Sequence, residues 1–200
     1  MASPCGIVSG SGRHRYFTDE RLLELADRTL GRWGDPCADE LSAAWPRAAW
    51  HLSIRRGECG LLCPWEPTNV WCNPPYDDAA SWLEKCARHA AAGHEVLALV
   101  PCQPGSQYWR RIVWRFASCV VFIGRPKFAH PLEEDDNERG LKTGELVTTQ
   151  HPTDVAVVGF GVDAAKMTEI WSATGVVVAP IMMSDSTCPV GHDRQVPCSP

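Results

Sequence analysis

Four uninterrupted apolar runs constrain this chain more than anything else in it: EVLALV at 95–100, SCVVFIG at 118–124, DVAVVGF at 154–160 and GVVVAPIMM at 175–183. A strand that alternates apolar and polar residues can leave one face in water, but a run without alternation needs cover on both faces. The cover is supplied by helix-spaced segments. TDERLLELADRTL carries Leu22, Leu23, Leu25, Ala26 and Leu30 on one broad side, with Thr18 placed to cap it. A shorter strand, NVWC at 69–72, precedes Asp77 and Asp78, which open AASWLEKCARHAAAG; Leu83, Cys86, Ala87 and Ala90 recur there at helical spacing and Gly93 closes the end. QYWRRIVWRF sets Trp109, Ile112, Val113 and Phe116 on one stripe, and AAKMTEIWSAT is a further helix. Strands and helices repeated at these lengths predict an α/β fold with a layered, largely parallel sheet.

Two hundred residues with 44% apolar content suffice for one domain with a real core. Residues 1–14 and 184–200 are small, polar and proline-containing, and are expected to be flexible ends around a single domain at 15–183. The first residues, MASPCGIVSGSG, have neither the basic nor the apolar region of a signal peptide, and no apolar run is long enough to cross a bilayer. The expectation is therefore a cytoplasmic protein with no membrane partner. Of the ten cysteines, Cys72, Cys86 and Cys119 sit inside apolar segments, which favours buried free thiols over a disulfide framework. Cys59, Cys63 and Cys72 could be offered as zinc ligands, but no C-x-x-C pair exists and no metal site is expected.

A formal charge of −5 argues at first against nucleic acid as a partner. The local distribution is different. No acid occurs from Val96 through Leu132, a segment that contains Arg110, Arg111, Arg115, Arg125 and Lys127, whereas acids crowd LEEDDNERG just downstream. Such patterning by itself favours a solvated helix face followed by a polar loop.

NPPY at 73–76 stands between the strand NVWC and the helix that follows it, and in a sheet of this class ligands bind beyond the carboxyl ends of the strands. Neither proline has an N–H, and each forces the residue before it into an extended conformation. The turn is rigid and presents acceptors: the Asn73 side-chain carbonyl, the Pro74 backbone carbonyl and, beside them, the flat face of Tyr76. That arrangement suits a planar substrate bearing an NH₂ group. An amine conjugated to a ring or acyl group is a poor nucleophile; accepting hydrogen bonds from both of its hydrogens stabilises the positive charge that develops as it attacks. A bare N-P-P-Y is more often a turn that merely ends a strand.

The surrounding residues resemble one family, the small phage-type DNA N6-adenine methyltransferases. CPWEPTNVWCNPPY is similar to that family's tryptophan, spacer and strand leading into the motif, and SWLEKCARHAAAGHEVLALVP to the helix and strand after it. QYWRRIV resembles its tryptophan-bearing helix, VVFIGRPKF its G-R-x-K-F strand, DPCA its cofactor-side motif and YFTDERLL its N-terminal element. These matches cover about residues 16–160 in the family's order. Asp19 stands where the family usually has proline, LGRWG is a short, glycine-interrupted first strand, and no G-x-G loop is present.

The resemblance implies a three-layer Rossmann-like methyltransferase fold and transfer of a methyl group from S-adenosyl-L-methionine to the N6 amine of an adenine in DNA. It further implies that Asn73 and Pro74, with Pro75, hold the amine and that Tyr76 stacks on the base. Thr18 and the Asp35, Pro36 and Cys37 turn would hold the cofactor, with Glu58 a candidate for its ribose. A base inside a duplex must flip out to reach such a pocket, and Arg110, Arg111, Arg115, Arg125 and Lys127 are candidate phosphate contacts. The implied assembly is a monomer or weak dimer in the cytoplasm, the host's if the chain is phage-encoded. Two rivals remain: an amino-group methyltransferase acting on a protein glutamine amide, and a non-catalytic DNA- or nucleotide-binding module on the same fold.

Overall fold

A computed structural model of the chain describes residues 17–132, 135–137 and 139–180. The termini expected to be flexible, with Ile181, Met182 and Met183 of the last apolar run, lie outside these residues.

Helix α1 (Glu20–Leu30) buries Leu22, Leu23, Ala26 and Leu30 and leads into a two-residue strand, β1 (Trp33–Gly34). Its cap is Asp19, whose carboxylate accepts the Arg21 N–H at 2.8 Å. Thr18 was expected there; it is instead buried and turned to another partner. Strand β2 (Asn69–Cys72) follows, then a 3-10 turn (Tyr76–Asp78), helix α2 (Ala79–Ala91) and strand β3 (Val96–Pro101). A π-helical stretch (Trp109–Val113) continues as α3 (Trp114–Phe116) into β4 (Cys119–Gly124). Trp109, Ile112 and Val113 of the expected stripe are buried, and Phe116 is half-buried. Strands β5 (Lys127–Pro131) and β6 (Leu146–Gln150) pair with each other in a separate two-stranded sheet, and β7 (Val155–Phe160), α4 (Ala164–Trp171) and β8 (Val176–Val178) complete the described order.

The main sheet has six strands in the order β1-β2-β3-β7-β4-β8. Strands β1, β2 and β3 pair in parallel, while β7 is antiparallel to both of its neighbours and β8 is antiparallel to β4. The sheet is thus mixed: β1, β2, β3 and β4 share one direction, as expected of a largely parallel sheet, and β7 and β8 run against them. The cause lies in the connection: β4 reaches β7 through the β5–β6 hairpin instead of a helical crossover, and a chain that turns back without crossing over returns antiparallel.

Alternate residues of the strands feed two apolar clusters. Val70, Cys72, Val96, Ala98, Val100, Val120 and Val158 meet Trp82, Leu83 and Cys86 of α2 and Trp109 and Val113 of the π-helical stretch. Trp71, Leu97, Leu99, Val121, Val155 and Val157 meet α1 and, from α4, Met167 and Trp171. Helices therefore cover both faces of the central strands, as their unalternating runs require, whereas the last run forms the edge strand β8 and leaves Val176 and Val178 exposed. Asn69 ties the layers, donating to the Leu30 carbonyl at 2.8 Å and accepting the Glu95 N–H at 2.9 Å. No helix among the described residues is long and apolar enough to cross a membrane.

Candidate active site

The parallel strands β1, β2 and β3 end on one edge of the sheet, and β4, antiparallel to β7, ends there too. After β1 the chain turns away from β2: Asp35 forms a parallel bridge with His51, and the Asp35 N–H donates to the Trp50 carbonyl at 2.9 Å. The connection packs on both faces, with Ala43, Ala44 and Ala48 on the α1 side and Trp50, Leu52 and Trp65 on the α2 side, where β2 continues into α2. The loops that follow two adjacent parallel strands bound a crevice outside their carboxyl ends, here between β1 and β2. Asp35 stands on one side of it and Asn73 on the other.

Asn73 is half-buried, and its amide Nδ2 donates to the Thr18 hydroxyl at 3.3 Å. Thr18 is brought there by its neighbour, since the Phe17 N–H donates to the Ala129 carbonyl of β5 at 2.7 Å and anchors the segment before α1 on the hairpin. Pro74 is buried, and Pro75 and Tyr76 are half-buried. The Tyr76 ring packs on the α1-side cluster and meets the His151 ring edge-on, with centroids 5.6 Å apart. His151 is buried, also packs edge-on against Phe128, and its Nδ1 lies 2.8 Å from the Thr153 carbonyl oxygen. The hairpin root, the segment before α1 and the NPPY turn thus converge on the same edge.

On the other side of the crevice, Asp35 is buried and its Oδ1 accepts the Cys37 N–H at 2.8 Å. Burial raises its carboxyl to about 7, against a smaller lowering effect of that hydrogen bond. Pro36 leaves its carbonyl against Gly60, where a Cβ would come within 2.0 Å of it. Lys85 of α2 fixes the segment around Gly60 by donating to the carbonyls of Gly60, Leu61 and Cys63 at 2.8, 3.1 and 2.6 Å. Cys37 Sγ lies 3.6 Å from Cys72 Sγ, so the two sides touch through sulfur directly beneath the crevice.

Of the residues singled out by sequence, Thr18, Asp35, Pro36, Cys37 and Asn73–Tyr76 gather around this edge. Glu58 follows the His51 bridge but is folded onto its own turn, accepting the Ser53 N–H at 3.2 Å and pairing with Arg56 at 3.3 Å. Arg110, Arg111 and Arg115 are exposed. Their helical segment runs from the end of β3 back to the start of β4, which puts Arg110 toward the crevice edge and Arg115 toward the opposite edge. Arg125 pairs with Asp154 at 3.2 Å, and Lys127 is exposed at the start of β5. Cys72, Cys86 and Cys119 are buried free thiols, as expected, whereas Cys59 is disulfide-bonded; no group of three metal-ligating side chains occurs among the described residues.

Sequence reasoning missed His151 and the β5–β6 hairpin that carries the chain to it. A lone histidine ahead of an apolar strand gives no periodic signal, and the residues of β6 are mostly exposed. No protein-family model matches this chain, and no curated protein matches it.

Proposed function

We propose that the protein is a three-layer Rossmann-like methyltransferase that moves a methyl group from S-adenosyl-L-methionine to the N6 amine of a flipped-out adenine in DNA. The observation that carries the reading is the placement of Asn73. A motif whose acceptors suit a conjugated amine stands at the carboxyl end of β2, beside the buried carboxyl of Asp35 at the end of the parallel neighbour β1. Asn73 and Pro74 accept from the two hydrogens of the amine, and the Thr18 hydroxyl, which accepts from the Asn73 amide nitrogen, orients the Asn73 carbonyl toward the amine. Tyr76, backed by His151, offers its ring to the base. The residues on the other side of the crevice fit a cationic cofactor: Asp35 can supply a carboxylate and Pro36 and Cys37 line the turn beside it. S-adenosyl-L-methionine supplies an activated methyl group, and the chain supplies position and a site for the developing charge.

The test is incubation with labelled S-adenosyl-L-methionine and unmethylated DNA, followed by nucleoside analysis. N6-methyladenine is expected, and N4-methylcytosine or unlabelled DNA would refute the assignment. A second reading, methylation of a protein glutamine amide, uses the same acceptor pair. It is favoured by the charge distribution, because Arg125 is already paired with Asp154 and Arg115 lies toward the edge away from Asn73. Labelling of protein rather than DNA in a mixed assay would decide for it.

A further inference from the structure

We propose that Cys37 and Cys72 are a redox modification site: they close to a reversible disulfide that joins the turn after β1 to the end of β2 beneath the crevice. Three features carry this. The sulfurs are already in contact at 3.6 Å, although Cys37 and Cys72 are 35 residues apart in sequence. Cys72 ends β2, and Cys37 stands in the turn three residues beyond Gly34, which is paired in parallel with Val70 of β2, so both cysteines lie at the carboxyl ends of neighbouring strands. Access is graded: Cys37 is half-buried, whereas Cys72 and, behind it, Cys86 are fully buried. An oxidant reaches Cys37 first and finds Cys72 waiting as the resolving thiol.

The chemistry balances with a peroxide as oxidant. The Cys37 sulfur attacks one oxygen of hydrogen peroxide and the O–O bond breaks; Cys37 becomes a sulfenic acid, and the departing hydroxide takes the thiol proton to leave as water. The Cys72 sulfur then attacks the Cys37 sulfur, the S–O bond breaks, and the second hydroxide leaves as water with the Cys72 proton. Two thiols are oxidised to one disulfide and one peroxide is reduced to two waters. Burial pushes the Cys37 thiol up to about 11, so thiolate is scarce and the first step is slow at neutral pH.

The consequence for the site rests on the function proposed above. Closing the sulfur gap draws together the two loops that frame the crevice. It also strains the Cys37 N–H bond to Asp35. The oxidised protein is therefore expected to bind S-adenosyl-L-methionine at least about tenfold more weakly than the reduced one.

The experiment oxidises the folded, full-length chain with hydrogen peroxide, alkylates the remaining thiols after unfolding, and maps the peptides by mass spectrometry. A Cys37–Cys72 linked peptide is expected, lighter by two hydrogens than its separate halves and cleaved by dithiothreitol. It should vanish in Cys37→Ala, a half-buried position that tolerates the change, and persist in Cys86→Ala. Accumulation of Cys37 sulfinic acid with Cys72 still alkylatable, or links made only by other cysteine pairs, would overturn the proposal. Calorimetric titration of both forms with S-adenosyl-L-methionine tests the consequence: equal binding by the two refutes the gating. Binding by neither refutes the methyltransferase reading and leaves the peptide result standing.

Discussion

Asn73 and Tyr76 occupy the same turn and are expected to respond differently to substitution. Asn73→Ala removes an acceptor that matters most as charge develops on the amine, so kcat should fall by about two orders of magnitude or more, with cofactor affinity measured by calorimetry nearly unchanged. Thr18→Val should produce a smaller fall of about tenfold, because Asn73 keeps its carbonyl but loses the hydroxyl that orients it. Base stacking is worth about 1–3 kcal/mol, so Tyr76→Phe should retain most activity and Tyr76→Ala should lose much of it; equal loss in both would assign the work to the hydroxyl. Asp35 gives a pH signature. Its folded value, about 7, lies above the ordinary 3.8, so its contribution to stability is complete below the lower value and is lost as pH rises through the upper one. Asp35→Asn carries no such charge, and its melting temperature relative to the parent should rise between about pH 4 and pH 8. Each of these four residues was legible in the sequence because a motif or a resemblance marked it. His151 was not, since its importance comes from contact with Tyr76 and Phe128, residues 75 and 23 positions earlier.

The elements divide by how much of their cause is local. β3, β4 and β7 were readable from their apolar runs; β3 and β7 are buried throughout and β4 over Cys119, Val120 and Val121, which is the reason the runs lack alternation. β1 was obscured by glycines that read as interruptions; Gly34 is required because a Cβ there would fall 1.9 Å from the Trp50 indole. Gly34→Ala should therefore destabilise by about 1–3 kcal/mol, the usual cost of overpacking, in a denaturant titration. The start of α1 was misread by one residue, Thr18 and Asp19 being equally good caps by residue type. Asp19→Ala should cost about 1 kcal/mol by the same measurement and leave the Thr18 bond to Asn73 in place. The pairing of β7 between β3 and β4 could not be read at all, because an apolar run carries no information about direction.

For the whole molecule, net charge and surface pattern pull in opposite directions. An acidic chain of −5 should bind DNA modestly and with strong salt dependence. Arg110→Ala and Arg111→Ala should each weaken binding about equally across sequences and reduce the slope of log affinity against log salt by about one. Arg115→Ala, toward the opposite edge, should leave the slope unchanged. The central place of β7 bears on synthesis as well as on shape. The strand that hydrogen-bonds both β3 and β4 follows both of them in the chain, so until residues 155–160 emerge the nascent chain holds two apolar strands with bare hydrogen-bonding edges. Such edges template association with other chains. A chain truncated after Gln150 should accordingly be insoluble when expressed, because the interval between the birth of β4 and the arrival of β7 is the one in which both edges stand open.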